Sequence, residues 1–131
     1  MTDCIFCKIA AGEIQHWKVL ETENCLAFLD GRPMMAYHTL VIPKREESYI
    51  FNLRPDELSG LMIVAQKVAA AVEKAVPCKR IGVAVIGLEV PHTHVHLVPI
   101  NHVGDINFEK AKLKPTPEEL AAVATRICSH L

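Results

Sequence analysis

Val90-Pro91-His92-Thr93-His94-Val95-His96-Leu97-Val98-Pro99 is the stretch on which the fold turns. Successive side chains of a β-strand point to opposite faces. The alternation therefore predicts a strand over His92 to Pro99, with His92, His94 and His96 on one face, roughly 7 Å apart along the strand. Thr93, Val95 and Leu97 face the other way, into a core. A sheet with one packed face and one polar face is ordinary. Three imidazoles in a row on the polar face mark that face as the place to look for chemistry.

Working outward, Arg80 to Ile86 is β-branched and apolar and predicts a second strand, joined to the first by a turn or bulge over Gly87 to Pro91. Further upstream, strands are expected at Val19 to Glu21, Cys25 to Leu29 and His38 to Pro43, with turn chemistry at Asp30-Gly31-Arg32-Pro33 between the last two. Pro55 suits the first position of a helix, and Asp56 and Glu57 suit its positive end. Leu58, Leu61, Met62, Ala65, Val68, Ala69, Val72 and Val76 recur at helical spacing and read as core packing, with Pro77 as the stop. Ile5 to Ala11 predicts a short helix closed by Gly12. Pro117-Glu118-Glu119 opens a last helix, with Leu120, Val123, Ala124, Ile127 and Cys128 on its apolar face. Consecutive strands with helices between and after them make an α+β fold with an antiparallel sheet.

The 131 residues are expected to form one domain spanning 1–131. Basic and acidic residues number 14 and 15, without a basic stripe, which argues against a nucleic-acid surface. No apolar run approaches the length of a membrane span. The start of the chain lacks the pattern of a secretion signal, so a soluble, cytoplasmic protein is expected. Without a Gly-x-x-x-x-Gly-Lys segment there is no P-loop. His16, His102 and His130 fall outside the pattern and read as surface residues. Trp17 reads as a core or interface anchor. Cys25, Cys78 and Cys128 read as buried small apolar residues.

Imidazole suits phosphoryl chemistry near neutral pH. A neutral ring offers one nitrogen lone pair as a nucleophile while the other nitrogen donates a proton and fixes the ring. Attack on phosphorus followed by hydrolysis divides one hard step into two easier ones. Adjacent imidazoles can donate to phosphate oxygens. The same spacing also suits a metal, because same-face histidines can converge on zinc. The pattern alone leaves both readings open. Cys4-x-x-Cys7 is open too, between a zinc half-site and thiols without metal. A redox pair is disfavoured, since no strand precedes it.

His92-Thr93-His94-Val95-His96-Leu97-Val98 resembles the signature of the histidine triad family. Cys25-Leu26-Ala27-Phe28-Leu29-Asp30, His38-Thr39-Leu40-Val41-Ile42-Pro43-Lys44 and Cys4-Ile5-Phe6-Cys7-Lys8-Ile9 resemble blocks of the same family, in the same order. The resemblance implies a five-stranded antiparallel sheet with a long central helix, a short N-terminal helix and a C-terminal helix, assembled as a homodimer across the long helix and a sheet edge. It implies a hydrolase or transferase acting at the α-phosphate of purine nucleotide conjugates, phosphoramidates or dinucleoside polyphosphates, with no organic cofactor. A nucleotide-binding module with little turnover and a zinc protein using the histidines as ligands are the other readings. By the resemblance His94 is the nucleophile, His92 orients it, His96 contacts phosphate and His38 supports the triad. Phe28, Leu29 and Asp30 match base and ribose positions, and Asp30 accepts from ribose hydroxyls. Glu89 stands at a nucleotide-contact position where a small polar residue is common. Leu88 takes the place of a glutamine, and Ile100 that of an arginine. The zinc of similar bacterial members would here meet Cys4, Cys7, Glu46 and His92.

Overall fold

The computed structural model describes residues 3–131, so Met1 and Thr2 lie outside the described residues. Five strands form one sheet: β1 (Lys18–Glu21), β2 (Cys25–Leu29), β3 (Thr39–Pro43), β4 (Arg80–Ala84) and β5 (Val95–Ile100), in the spatial order β1-β2-β3-β5-β4. Every neighbouring pair is antiparallel. The helices are α1 (Ile5–Ala10), α2 (Pro55–Ala75) and α3 (Pro117–Cys128). The α+β architecture with a five-stranded antiparallel sheet is therefore the one expected. No helix among the described residues is long and apolar enough to cross a membrane.

Both faces of the sheet are covered, by different partners. Ala27, Leu29, Val41, Val95 and Leu97 turn towards α2 and α3, where Leu61, Ala65, Val68 and Val72 of α2 and Ile127 of α3 meet them. Each fully buried aliphatic side chain of this layer contributes about 1.5–3 kcal/mol. Met62, expected in the stripe, is instead 39% exposed, because its position faces away from the sheet. On the other face Leu26, Phe28, Leu40 and Ile42 pack against Cys4, Phe6 and Ile9 of the α1 region.

Local chemistry sets the helix ends. Pro55 opens α2, and the Glu57 carboxylate accepts from the Arg54 N–H at 2.9 Å. Thr116 and Glu119 cap α3 reciprocally, at 3.1 Å and 2.8 Å, which satisfies two amide donors that have no partner inside the helix. The Cys4 sulfur accepts from the Cys7 N–H at 3.3 Å at the start of α1, which brings the two cysteines onto one side of the turn.

The strand expected over His92 to Pro99 begins later, at Val95. β3 pairs with β5 through Thr39↔Leu97, Leu40↔His96 and Val41↔Val95. Two steps further along that register, Pro43 would face Thr93, and proline has no N–H for a ladder. The Thr93 N–H and hydroxyl both donate to the Glu47 carbonyl instead, at 2.7 Å and 2.8 Å. His92 and His94 thus stand on a pinned extended segment just ahead of the strand, and only His96 belongs to it. The expected strands at His38 and at Val85–Ile86 are likewise one and two residues shorter than anticipated.

Candidate functional site

The sheet face opposite α2 carries the histidines. His94 and His96 have ring centroids 4.8 Å apart, His96 and His38 5.2 Å. Phe6 of α1 meets the rings of His94 and His92 edge-on, at 5.0 Å and 5.9 Å. All four imidazoles are buried. His92 turns away from the other three, towards Cys4 and Cys7.

Their partners fix the tautomers, because a carbonyl only accepts and an amide N–H only donates. His94 Nδ1–H donates to the His92 carbonyl at 2.6 Å, so its Nε2 carries the lone pair. The Met34 N–H donates to His38 Nδ1 at 3.3 Å, so His38 Nε2–H donates to His96 Nδ1 at 3.0 Å. His96 is then left with its proton on Nε2. The result is one imidazole offering a lone pair beside one offering an N–H. Burial holds His38 and His96 neutral: it pushes His38 down to about 3 and His96 to about 4, with smaller contributions from neighbouring histidine and from Lys112.

His94 and His96 line a cleft of about 600 Å³, a size usual for small-molecule sites. Phe6, Ile9, Ile14, Phe28 and Leu40 form its apolar end, and Leu29, Asp30 and Gly31 its rim. The Asp30 carboxylate accepts from the Arg32 N–H at 2.9 Å. Burial raises its pKa, against the pull of that N–H, Lys112 and His94. Asp30 Oδ2 lies 3.6 Å from His38 Nδ1. This is not an ion pair: the contact is beyond hydrogen-bond length, the Met34 amide occupies that nitrogen, and the ring is neutral. Glu89 lines the cleft as an exposed side chain, and Leu88 beside it is 88% exposed.

Cys4, Cys7 and His92 converge so that their ligand atoms all lie within 4.8 Å of one another. His92 Nε2–H donates to the Pro43 carbonyl at 2.8 Å, which turns the Nδ1 lone pair towards the sulfurs, 3.1 Å from Cys4 and 3.4 Å from Cys7. Glu46 is outside this group. It touches Cys7 at 3.5 Å from an exposed position, so the four expected ligands reduce to three that converge. Burial, then Cys4 and Glu46, push the Cys7 thiol up to about 12.

Residues 11–103 match the HIT domain. The chain belongs to the HIT family. It is 36% identical to an uncharacterized HIT-like protein of Borreliella burgdorferi, over the whole length of both. It is 33% identical to the adenosine 5'-monophosphoramidase HNT1 of Candida albicans, covering 73% of this chain and 69% of that one. A zinc-bound histidine triad family protein of Mycobacterium smegmatis superposes with a TM-score of 0.80 at 27% identity, over 98% and 92% of the two chains.

Within this HIT fold, several cleft residues escaped the sequence reading. His16 was expected at the surface. It lines the cleft, meets Phe28 edge-on at 6.2 Å and donates from Nδ1 to the Ile14 carbonyl at 2.9 Å. Phe108, from the segment after β5, stands edge-on to His96 at 4.8 Å. Phe6 and Ile9 had a usable signal, their helical spacing. His16 and Phe108 lie in segments without periodicity and had none. Of the remaining cysteines only Cys25 is buried; Cys78 is half-buried and Cys128 exposed.

Proposed function

We propose that this protein is a nucleotide hydrolase that cleaves purine nucleotide conjugates at the α-phosphate through a nucleotidyl-His94 intermediate. The observation that carries this is the His94 tautomer: its Nδ1–H is committed to the His92 carbonyl at 2.6 Å, and its Nε2 lone pair is left in the cleft next to an N–H of His96. Nε2 attacks phosphorus as the bond to the leaving group breaks, and the leaving group departs with a proton taken from water, which the later hydrolysis returns. His96 Nε2–H meets the phosphoryl oxygen on which charge develops. The His92 carbonyl steadies the positive ring while the adduct lasts. Water then opens the P–N bond and releases the nucleoside monophosphate. The aromatic and aliphatic end at Phe6, Ile9 and Phe28 suits the base, and Asp30 suits the ribose hydroxyls. The phosphoramidase name of the Candida relative supports the same reaction class.

Rapid-quench mass spectrometry with an adenosine phosphoramidate tests the proposal. A transient adenylyl adduct on His94 is the expected result. Tight AMP binding without any adduct would instead favour a binding module, the reading suggested by the exposed Leu88 and Glu89.

Cys4, Cys7 and His92 are proposed to hold a structural zinc. The donor set fits: two sulfurs and an imidazole lone pair aimed at them, with the ring fixed from behind by the Pro43 carbonyl. Bound there, the metal would tie α1 to the triad segment and favour the Cys7 thiolate that burial now opposes. Cys4→Ser is expected to lower bound zinc, read by elemental analysis of the purified protein, from about one equivalent to a small fraction. Unchanged zinc content would remove Cys4 as a ligand.

The chain is further proposed to act as a single domain and to pair as a homodimer through α2 and the β4 edge. Ile63 of α2 and Val83 of β4 are 64% and 53% exposed, and β4 is an edge strand with an open side. Sedimentation at the monomer mass would refute the pairing.

A further inference from the structure

The cleft has a charge deficit. Burial keeps His96 neutral near pH 7, and the cleft's ionisable rim holds Asp30, Glu89 and Glu109 against Arg32. A nucleotide adds at least one more negative charge. Leu88 and Ile100, which flank the triad segment, supply no cation. Binding a phosphate here calls for a positive group from elsewhere in the fold.

The segment between β5 and α3 brings one. It is strapped across the histidine face at several points. Ile106 packs so closely on β4 that a Cβ on Gly82 would lie 2.5 Å from its Cδ1. Lys110 Nζ donates to the Asp105 carbonyl at 3.2 Å and reaches Met35 Sδ at 3.3 Å. The Leu113 N–H donates to the Pro33 carbonyl at 2.9 Å. Between these anchors Phe108 leans on His96. Lys112 folds back over Phe108, with Nζ 3.0 Å from its carbonyl oxygen and 5.6 Å from its ring centroid. An ammonium has three donors, and the Phe108 carbonyl takes one. Because the Phe108 ring stands 4.8 Å from that of His96, the ammonium is held one aromatic ring away from the triad.

We propose that Lys112 supplies the positive charge that meets the nucleotide phosphate beside His96. This rests on the nucleotide reading above. The side chain is long and flexible, and exchanging a neutral carbonyl for a phosphate oxygen replaces a neutral acceptor by a charged one, the stronger kind of bond. Phe108 serves as its perch, and the anchors at Gly82, Met35 and Pro33 hold the perch over the triad.

Calorimetry with AMP and adenosine on the full chain tests it. The wild type is expected to prefer AMP. Lys112→Met is expected to lower the AMP-to-adenosine affinity ratio about tenfold or more, the size of a lost charge-assisted bond. Lys112→Arg should restore most of it, and Lys114→Met, the same change of charge at an exposed position two residues on, should leave it intact. A general disturbance would weaken both ligands together. A ratio unchanged in Lys112→Met would therefore overturn the proposal, and so would a ratio lost only in Arg32→Met. Should the methionine variant melt early, Lys112→Gln is read the same way. A wild type that binds neither ligand would sink the nucleotide reading itself, a result distinct from any of these.

Discussion

His94→Ala is expected to lower turnover of an adenosine phosphoramidate by at least about a thousandfold, the scale on which enzymes lose a covalent nucleophile. AMP affinity should change far less. In the proposed reaction the ring supplies the attacking lone pair, and alanine has none to offer. The rest of the cleft survives the change: its apolar end is built by Phe6, Ile9 and Phe28, and His38 still fixes the His96 tautomer from the opposite side. The folded state should survive too. His94 contributes one hydrogen bond to a main-chain carbonyl and an edge contact to Phe6, so stability should fall by about 1–3 kcal/mol. Steady-state kinetics and binding, measured on the same preparation, separate the effects. Turnover within tenfold of wild type would show that some other group attacks phosphorus.

The second large effect concerns acid. Stability is expected to decline steeply below pH 6.5. Burial holds His38 at about 3 and His96 at about 4, whereas an unfolded histidine titrates near 6.5. Because the folded pKa values are the lower ones, the unfolded chain binds protons first as pH falls. The stabilisation is complete above pH 6.5 and drains away as pH drops towards 4 and then 3. Each residue contributes a slope of up to about 1.4 kcal/mol per pH unit, on the order of 2 kcal/mol each by pH 5. His92, also lowered by burial, acts in the same direction. Glu21 and Glu57, held near 2 chiefly by hydrogen bonds from Lys44 and Arg45, begin to matter only below about pH 4.5, so the two regimes separate on the pH axis. Urea unfolding at pH 7 and pH 5 measures the difference, and His38→Gln should shrink it. Equal stability at the two pH values would contradict the neutral, buried assignment.

Much of this architecture was legible because alternation and helical periodicity report burial directly. Cys25–Leu29 is continuous and apolar, and it is buried throughout, as a strand covered on both faces must be. α2 runs from its proline to just short of the next one, Pro77. The triad was legible as a set, but its backbone was not. The alternation of residues 92–99 continues through the point where the ladder fails, and the cause lies 50 positions upstream in Pro43. Asp30, singled out from its motif, does line the cleft. Glu46, read as a fourth metal ligand, stands beside Cys7 but outside the converging trio, because proximity along a motif does not report which way an exposed side chain points. Phe108 and Lys112 reach the site by folding back across it, and nothing in their own neighbourhood announces a tertiary return.

His92 answers to two masters. Its ring meets the cysteines and its main-chain oxygen meets His94, so the two contacts run through different atoms of one residue. Any shift of the ring that follows the sulfurs tilts the peptide that aims His94. Substitutions around the N-terminal turn are therefore expected to be felt at His94, through a residue that adjoins neither place in sequence.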